Sequence, residues 1–154
     1  MSKLCFMFGH RDAPASVLSE IERAVEKHHL EYGIDEFVVG NHGAFDRMAA
    51  QAVRAAQKKY SSVRLTLLLA YHPSMQSRDL LTAYDSTLYP DGIERVPRRL
   101  AILSANQYMI GRADGFICYV AYAGNTQTLL REAGKRCTQA EIPLINLADS
   151  PPSI

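Results

Sequence analysis

Glycine and polar residues follow four apolar runs of the sequence, and these four segments contain residue types that could do chemistry. They are 9–11 (Gly-His-Arg), 40–43 (Gly-Asn-His-Gly), 71–73 (Tyr-His-Pro) and 122–126 (Tyr-Ala-Gly-Asn-Thr). Glycine lets the backbone approach a ligand, and the N–H groups at a helix start favour an anion. Together the four segments indicate an anion-binding site, although each one alone is explained equally well by an ordinary turn.

Two side chains in these segments are suited to a phosphate. Arg11 carries a guanidinium that can pair with phosphate oxygens through two parallel hydrogen bonds. Thr126 opens a predicted helix, where its hydroxyl either caps the helix or donates to a phosphate oxygen. A solvated arginine and an ordinary cap are the alternatives that the sequence leaves open.

The densest cluster is 40–49, where a turn flanked by glycines leads into a predicted helix. Asp46 lies in the first turn of that helix. Its carboxylate either accepts a hydrogen bond from a ribose hydroxyl or simply complements the helix dipole. Both interpretations remain open at this point.

Three histidines, His10, His42 and His72, each follow a predicted strand. They could gather around a metal ion or supply an acid or base. No second ligand at a spacing of three or four residues accompanies them, so we predict no metal site. Hydrogen bonding to a ligand or to the backbone is the favoured interpretation.

The elements that would position these residues alternate along the chain. Apolar runs predict five strands and 3.6-residue periods predict four helices, with strands at 4–8, 36–40, 63–70, 115–120 and 143–147 and helices at 17–32, 44–60, 99–112 and 126–140. This alternation predicts an α/β, three-layer Rossmann-like fold with an about five-stranded, mainly parallel sheet and helices on both faces. In such sheets ligands bind beyond the carboxyl ends of the strands, where the strand order reverses.

A chain of 154 residues matches one domain, and we predict a single domain over 1–154. One stretch, 71–98, shows little periodicity and is predicted as a long loop. Its composition, which includes Tyr84, Tyr89 and Pro90, favours a functional lid over a partly disordered segment.

Charge and cysteine content bear on partners and location. The formal net charge of +1 supplies no overall field for a polyanion, so we expect no nucleic acid partner. The apolar run 4–8 is too short for a signal sequence or a membrane span, so no membrane partner is expected. Three cysteines without metal-ligand spacing are typical of a reducing cytosol, and we expect a cytoplasmic protein.

Five blocks of the sequence, 8–12, 39–49, 69–73, 89–92 and 106–110, resemble a known superfamily over nearly the whole chain. They are similar to the SLOG superfamily, which groups the LOG-type nucleotide phosphoribohydrolases with DprA-like and YpsA-like proteins, and most of all to the YpsA-like branch. The resemblance implies a Rossmann-like fold, homo-oligomers, and a nucleotide or nucleotide-derived ligand at the carboxyl edge of the sheet.

The chain departs from the pattern of the SLOG superfamily in the loop after the fourth predicted strand. Ala123-Gly124 replaces the usual pair of glycines, which predicts a stiffer loop. LOG-type hydrolases carry a catalytic glutamate three residues after the threonine of this loop, and here Leu129 occupies that position. Glu132 follows Thr126 by almost two helical turns and is poorly placed to substitute.

The leading hypothesis is a protein that binds or senses a nucleotide or nucleotide derivative, possibly derived from NAD, with a phosphorylated small molecule as its partner. The predicted ligand-binding residues are Gly9, His10, Arg11, Gly40, Asn41, His42, Gly43, Asp46, Arg47, Tyr71, His72, Ala123, Gly124, Asn125 and Thr126. An alternative is an N-glycosidase of the phosphoribohydrolase type, for which Asp46, Asp85 or Glu132 would be the catalytic carboxylate. A third alternative is a structural subunit of an oligomer that binds no ligand. No particular cofactor is predicted, and the question of catalysis remains open.

Overall fold

Strands and helices alternate in the computed structural model, which describes residues 3–149. The strands are β1 (Lys3–Gly9), β2 (Ile34–Val39), β3 (Arg64–Leu68), β4 (Ser86–Leu88), β5 (Gly115–Tyr119) and β6 (Leu144–Asn146). The helices are α1 (Leu18–Tyr32), α2 (Ala44–Lys59), α3 (Arg78–Thr82), α4 (Ala101–Ile110) and α5 (Asn125–Ala140). The predicted domain 1–154 also includes 1–2 and 150–154, which lie outside the described residues.

The six strands form one parallel sheet in the order β4-β3-β2-β1-β5-β6. The predicted α/β class and the mainly parallel sheet are therefore confirmed, and the expected count of about five strands is one too low. From β1 the chain adds strands in one direction as far as β4 and then returns to add β5 and β6 on the other side of β1. The strand order thus reverses between β1 and β5.

Helices cover both faces of the sheet, because the central strands are apolar on both sides. In β1, Cys5 and Met7 join the core cluster that includes the buried residues of α1 and α2. Phe6 and Phe8 point to the opposite face, where they join the buried residues of α4 and α5. The continuous apolar run of β1 therefore connects two separate cores.

The segment predicted as a long loop, 71–98, contains regular structure. It includes helix α3 and strand β4, which pairs with β3 in parallel and extends the sheet at its edge. A strand of three residues, Ser-Thr-Leu, is too short to show a two-residue alternation, which explains why the sequence did not indicate it. The lid interpretation of this segment consequently applies to fewer residues than predicted.

The helix ends follow from local sequence. Gly33 ends α1 with φ at 69°, a left-handed conformation that glycine adopts without strain, and its N–H donates to the carbonyl of His28. Gly43 and Gly124 are the N-cap residues of α2 and α5. No helix in the described part of the chain combines the length and the apolar character that a membrane span requires.

Candidate functional site

A cavity of about 450 Å³ lies at the carboxyl ends of β1 and β5, where the strand order reverses. This is the position at which open α/β sheets bind ligands, and the volume is in the range of small-molecule sites. The lining residues come from four parts of the chain: Met7, Phe8, Gly9, His10 and Arg11; Gly40, His42 and Asp46; Arg99, Ile102, Leu103 and Asn106; Tyr122, Ala123, Gly124, Asn125, Thr126 and Leu129.

Two glycines allow the loop after β1 and the start of α2 to approach closely. A Cβ atom on Gly9 would lie 2.5 Å from the ring of Phe45, and one on Gly43 would lie 2.4 Å from the Cα of Arg11. The N–H of Ala44 donates to the carbonyl oxygen of Arg11 over 2.8 Å. The backbone of Arg11 is therefore fixed against α2, while its exposed side chain lines the cavity.

Asp46 presents a carboxyl group to the cavity from the first turn of α2. Its Oδ2 accepts a hydrogen bond of 2.9 Å from the N–H of His42 and lies 2.9 Å from where a Cβ on Gly40 would be. Burial raises the pKa of Asp46 to about 6 from its ordinary 3.8, although the His42 N–H and the charge of Arg47 act in the opposite direction. Asp46 therefore titrates close to neutral pH, as acid and base catalysts often do.

His10 joins the loops that follow β1 and β5. It is 5% exposed, and its Nε2 accepts the N–H of Ala121 at 2.9 Å and that of Tyr122 at 3.4 Å. Because Nε2 is an acceptor, the imidazole is neutral, and burial lowers the pKa of His10 although Asp12 partly opposes this. The predicted hydrogen bonding of this histidine to the backbone is thus present in the structure.

The loop after β5 leads directly into α5. Gly124 has φ at 153°, a conformation that side chains rarely adopt, and it precedes Asn125 and Thr126, which line the cavity. In the described chain the first turn of α5 has no acidic residue, whereas that of α2 contains Asp46. The positive end of the α5 dipole is therefore not offset by a carboxylate of its own first turn.

One wall of the cavity was not predicted from the sequence. Arg99, Ile102, Leu103 and Asn106 line it from α4 and the turn before that helix. A search of the loops that follow strands does not include these residues. They recur at spacings of three and four residues along one side of α4 and the turn before it. Asn106 belongs to one of the blocks that resemble the SLOG superfamily, and this was the available signal.

The structure brings ten of the fifteen predicted ligand-binding residues to the cavity: Gly9, His10, Arg11, Gly40, His42, Asp46, Ala123, Gly124, Asn125 and Thr126. The other five, Asn41, Gly43, Arg47, Tyr71 and His72, are not among its lining residues. Tyr71 and His72 follow β3, which lies two strands away from β1. That separation is about 10 Å, because neighbouring strands lie about 4.8 Å apart.

Three of these five residues have other contacts. Gly43 makes room for the backbone of Arg11. Tyr71 lies under the guanidinium of Arg98 at 5.1 Å, and Nδ1 of His72 accepts the N–H of Ser74 at the start of a short turn. Among the described residues, no three His, Cys, Asp or Glu side chains are grouped as a metal site requires.

Two of the three candidate catalytic carboxylates lie away from the cavity. Asp85 precedes β4 at the opposite, amino edge of the sheet, where its Oδ2 accepts the N–H of Leu65 at 2.7 Å and the amide of Gln57 at 2.5 Å. Glu132 lies in the second turn of α5 and does not line the cavity. Asp46 is the only carboxylate among the described residues that do so.

No protein-family model matches the chain, and no curated protein matches it by sequence. Solved structures do. The molybdenum cofactor binding protein from Rippkaea orientalis is 16% identical with a TM-score of 0.60, and the match covers 95% of this chain and 76% of that one.

DNA processing protein A (DprA) also matches, in two species. The Streptococcus pneumoniae protein is 13% identical with a TM-score of 0.58 over 96% of this chain. The Helicobacter pylori protein, which binds single-stranded DNA, is 14% identical with a TM-score of 0.58 over 92% of this chain. This chain spans 59% and 63% of their lengths. At these identities the likeness shows a shared Rossmann-like fold, consistent with the SLOG resemblance at the superfamily level, while the YpsA-like branch stays a prediction.

The exclusion of nucleic acid in the sequence analysis is wrong, because proteins with this fold include one that binds single-stranded DNA. The exclusion relied on the net charge of +1, which describes the whole chain and not one surface. At the cavity the charges are not balanced, since Arg11 and Arg99 accompany Asp46. A local excess of positive charge can therefore coexist with a nearly neutral chain.

Proposed function

We propose that the chain binds a phosphorylated small molecule, a nucleotide or nucleotide derivative, in the cavity between the carboxyl ends of β1 and β5. The observation that carries this proposal is the shared position of Arg11 and Thr126. These residues are 115 positions apart in sequence, yet both line one cavity at the point where the strand order reverses.

The charges around the cavity suit an anion with an uncharged portion. Arg11 and the start of α5 at Gly124 and Thr126 provide a cation and a helix N-terminus for one phosphate. Arg99 supplies a second cation from α4, and Ile102 and Leu103 add apolar surface beside it. Asp46 can accept a hydrogen bond from a sugar hydroxyl when it is ionised, or donate one when it is protonated.

Two structural neighbours support a ligand of this class. One is named for binding the molybdenum cofactor, and the Helicobacter pylori protein binds single-stranded DNA. A single-stranded nucleic acid offers the same phosphate and base groups as a mononucleotide. A test of the proposal should therefore compare nucleoside monophosphates, ADP-ribose and NAD with a short single-stranded oligonucleotide.

Thermal unfolding in the presence of each compound tests the proposal. A ligand at 100 times its dissociation constant should stabilise the folded chain by about 2.7 kcal/mol. Arg11→Ala should abolish most of that stabilisation. Arg131→Ala is the matched control, because Arg131 is an exposed arginine of α5 that does not line the cavity. Stabilisation by no phosphorylated compound would contradict the proposal.

The pKa of Asp46, about 6, favours a second candidate, an N-glycosidase in which this carboxyl acts on a bound nucleotide. The position of the LOG-type glutamate is occupied by Leu129, which is 3% exposed and lines the cavity, so Asp46 would have to supply the chemistry alone. Incubation with nucleoside monophosphates should then release free base, and Asp46→Asn should stop the release. Binding without release of base would leave the binding function and rule out this enzyme.

A further inference from the structure

Tyr122 is an aromatic residue that the core does not use. It lines the cavity and is 52% exposed, which places it among the few large apolar side chains of residues 3–149 that are open to solvent. An exposed ring normally moves among several rotamers, and ordering it on binding reduces affinity. In this case two contacts within the chain itself restrict the ring.

The first contact is a stack on His10. The two ring centroids lie 3.7 Å apart, and the rings are within 10° of parallel. His10 is itself fixed, because it is buried and its Nε2 accepts the backbone N–H groups of Ala121 and Tyr122. The imidazole therefore supports one face of the Tyr122 ring and the loop that carries it.

The second contact holds the far end of the side chain. The hydroxyl group of Tyr122 donates a hydrogen bond to Oδ1 of Asp12, in the loop after β1. With one face against His10 and its hydroxyl on Asp12, the ring has a defined orientation. The part of the ring that His10 does not cover is open to solvent. A flat aromatic group can stack on that surface in the offset parallel arrangement that aromatic pairs prefer.

We propose that Tyr122 is the platform on which an aromatic heterocycle of the ligand stacks, and that it selects for a two-ring heterocycle such as a purine or a pterin. This inference rests on the proposed function, in which Arg11 and the start of α5 bind the phosphate. It assigns the base of the same ligand to Tyr122. Tyr122 is four residues before Thr126, so the two are at most about 14 Å apart along the extended chain. A phosphate at the start of α5 thus brings its attached base within reach of the ring.

Selection for two fused rings follows from the area of contact. Stacking of a base on an aromatic side chain is worth about 1–3 kcal/mol, corresponding to about fivefold to about 150-fold in affinity. A purine covers more of the tyrosine ring than a pyrimidine does. Ribose 5-phosphate retains the phosphate and the sugar but has no base, and it serves as the reference ligand.

Calorimetric titration of GMP, AMP, UMP and ribose 5-phosphate into wild type and variants tests the platform. Wild type should bind the purine nucleotides at least about fivefold more tightly than ribose 5-phosphate, with UMP between them. Tyr122→Ala and Tyr122→Leu should remove this ratio and leave the affinity for ribose 5-phosphate unchanged. Tyr122→Leu keeps an apolar cover over His10 and guards against a folding defect in the alanine variant.

Tyr122→Phe and Tyr32→Ala are the controls. The first retains the ring and loses only the hydrogen bond to Asp12, so most of the purine preference should remain. The second removes an exposed tyrosine that also contacts a histidine, His28, at the opposite edge of the sheet, and should change no affinity. A wild type without purine preference, or a Tyr122→Leu variant that weakens ribose 5-phosphate and GMP equally, would overturn the platform.

Adenosine and guanosine separate this inference from the proposed function. If no phosphorylated compound binds wild type, the proposed function fails. The platform still requires measurable purine nucleoside binding that Tyr122→Leu abolishes. If neither nucleoside binds in that case, the platform fails as well.

Discussion

The two edges of the sheet use the same residue types for different purposes. At the amino edge, Asp114 accepts the N–H of Leu4 at 2.9 Å and Asp85 accepts that of Leu65 at 2.7 Å, so both carboxylates complete the backbone hydrogen bonding of strands. At the carboxyl edge, Asp46 also accepts one backbone N–H, but it faces a cavity. What distinguishes a candidate ligand-binding carboxylate from a structural one is therefore a cavity beside it, because both kinds accept backbone hydrogen bonds.

The histidines show the same contrast. His28, at the amino edge, is fully buried, with Nδ1 on the carbonyl of Ala24 at 3.0 Å and Nε2 unpartnered among the described residues. His10, at the carboxyl edge, uses Nε2 to hold the loop after β5. Both have a pKa lowered by burial, but only His10 lies beside the cavity. Three substitutions sharpen this comparison, in order of decreasing effect.

The largest expected effect is acid destabilisation through His28. Burial lowers its pKa to about 4 in the folded chain, whereas the unfolded chain takes up the proton near 6.5. The neutral imidazole contributes its full stabilisation above pH 6.5, and this contribution is lost as the pH falls toward 4. The free energy of unfolding should fall by about 3 kcal/mol over that range. Denaturant unfolding of wild type and His28→Leu at pH 7.5 and 4.5 measures this loss of stability.

His28→Leu should reduce the difference in stability between the two pH values, because leucine fills a similar volume and binds no proton. His29→Leu is a suitable comparison, since His29 is only partly buried and contacts Asp35 at 3.4 Å. Equal loss of stability at acid pH in wild type and in His28→Leu would show that other groups dominate the acid response.

Asp46→Asn should stabilise the chain at alkaline pH. Because its folded pKa is about 6 and its unfolded pKa is 3.8, ionised Asp46 disfavours folding, and the penalty grows as the pH rises from 3.8 to 6. The side chain is partly exposed, so we expect a gain of about 2 kcal/mol at pH 8 and none at pH 3. Denaturant unfolding at the two pH values measures it.

The exposed aspartate Asp91 offers the control for this substitution. Asp91→Asn should leave stability unchanged at both pH values. A decrease in stability for Asp46→Asn at pH 8 would mean that the charge supports the fold, and Asp46 would then resemble the carboxylates of the amino edge.

Asp85→Ala should have the smallest effect, a loss of about 1 kcal/mol of stability, because it leaves the N–H of Leu65 without its side-chain acceptor, while the amide of Gln57 keeps its hydrogen bond to the carbonyl of Val63. Ligand affinity measured by calorimetry should not change. Asp85→Asn retains an acceptor oxygen and should lose less. Weaker nucleotide binding in Asp85→Ala would show that the two edges are coupled.

Much of this architecture could be predicted from local sequence. Apolar runs and glycine-rich turns identified the alternation and three of the four segments that line the cavity. Strand β4 was missed because three residues show no period, and the α4 wall was missed because its residues are separated by helical spacing. The roles of Asp85 and His10 depend on partners 20 and 111 positions away, which no local pattern contains.

The contact between Gly43 and Arg11 constrains how this site can change. Any side chain at position 43 would overlap the backbone at position 11, and the Ala44 N–H already joins the two segments. The loop after β1 and the start of α2 must therefore move as one unit, so a longer first loop would also displace Asp46. Redesign for a different ligand would begin at Ile102, Leu103 and Leu129, whose side chains shape the cavity without tying two loops together.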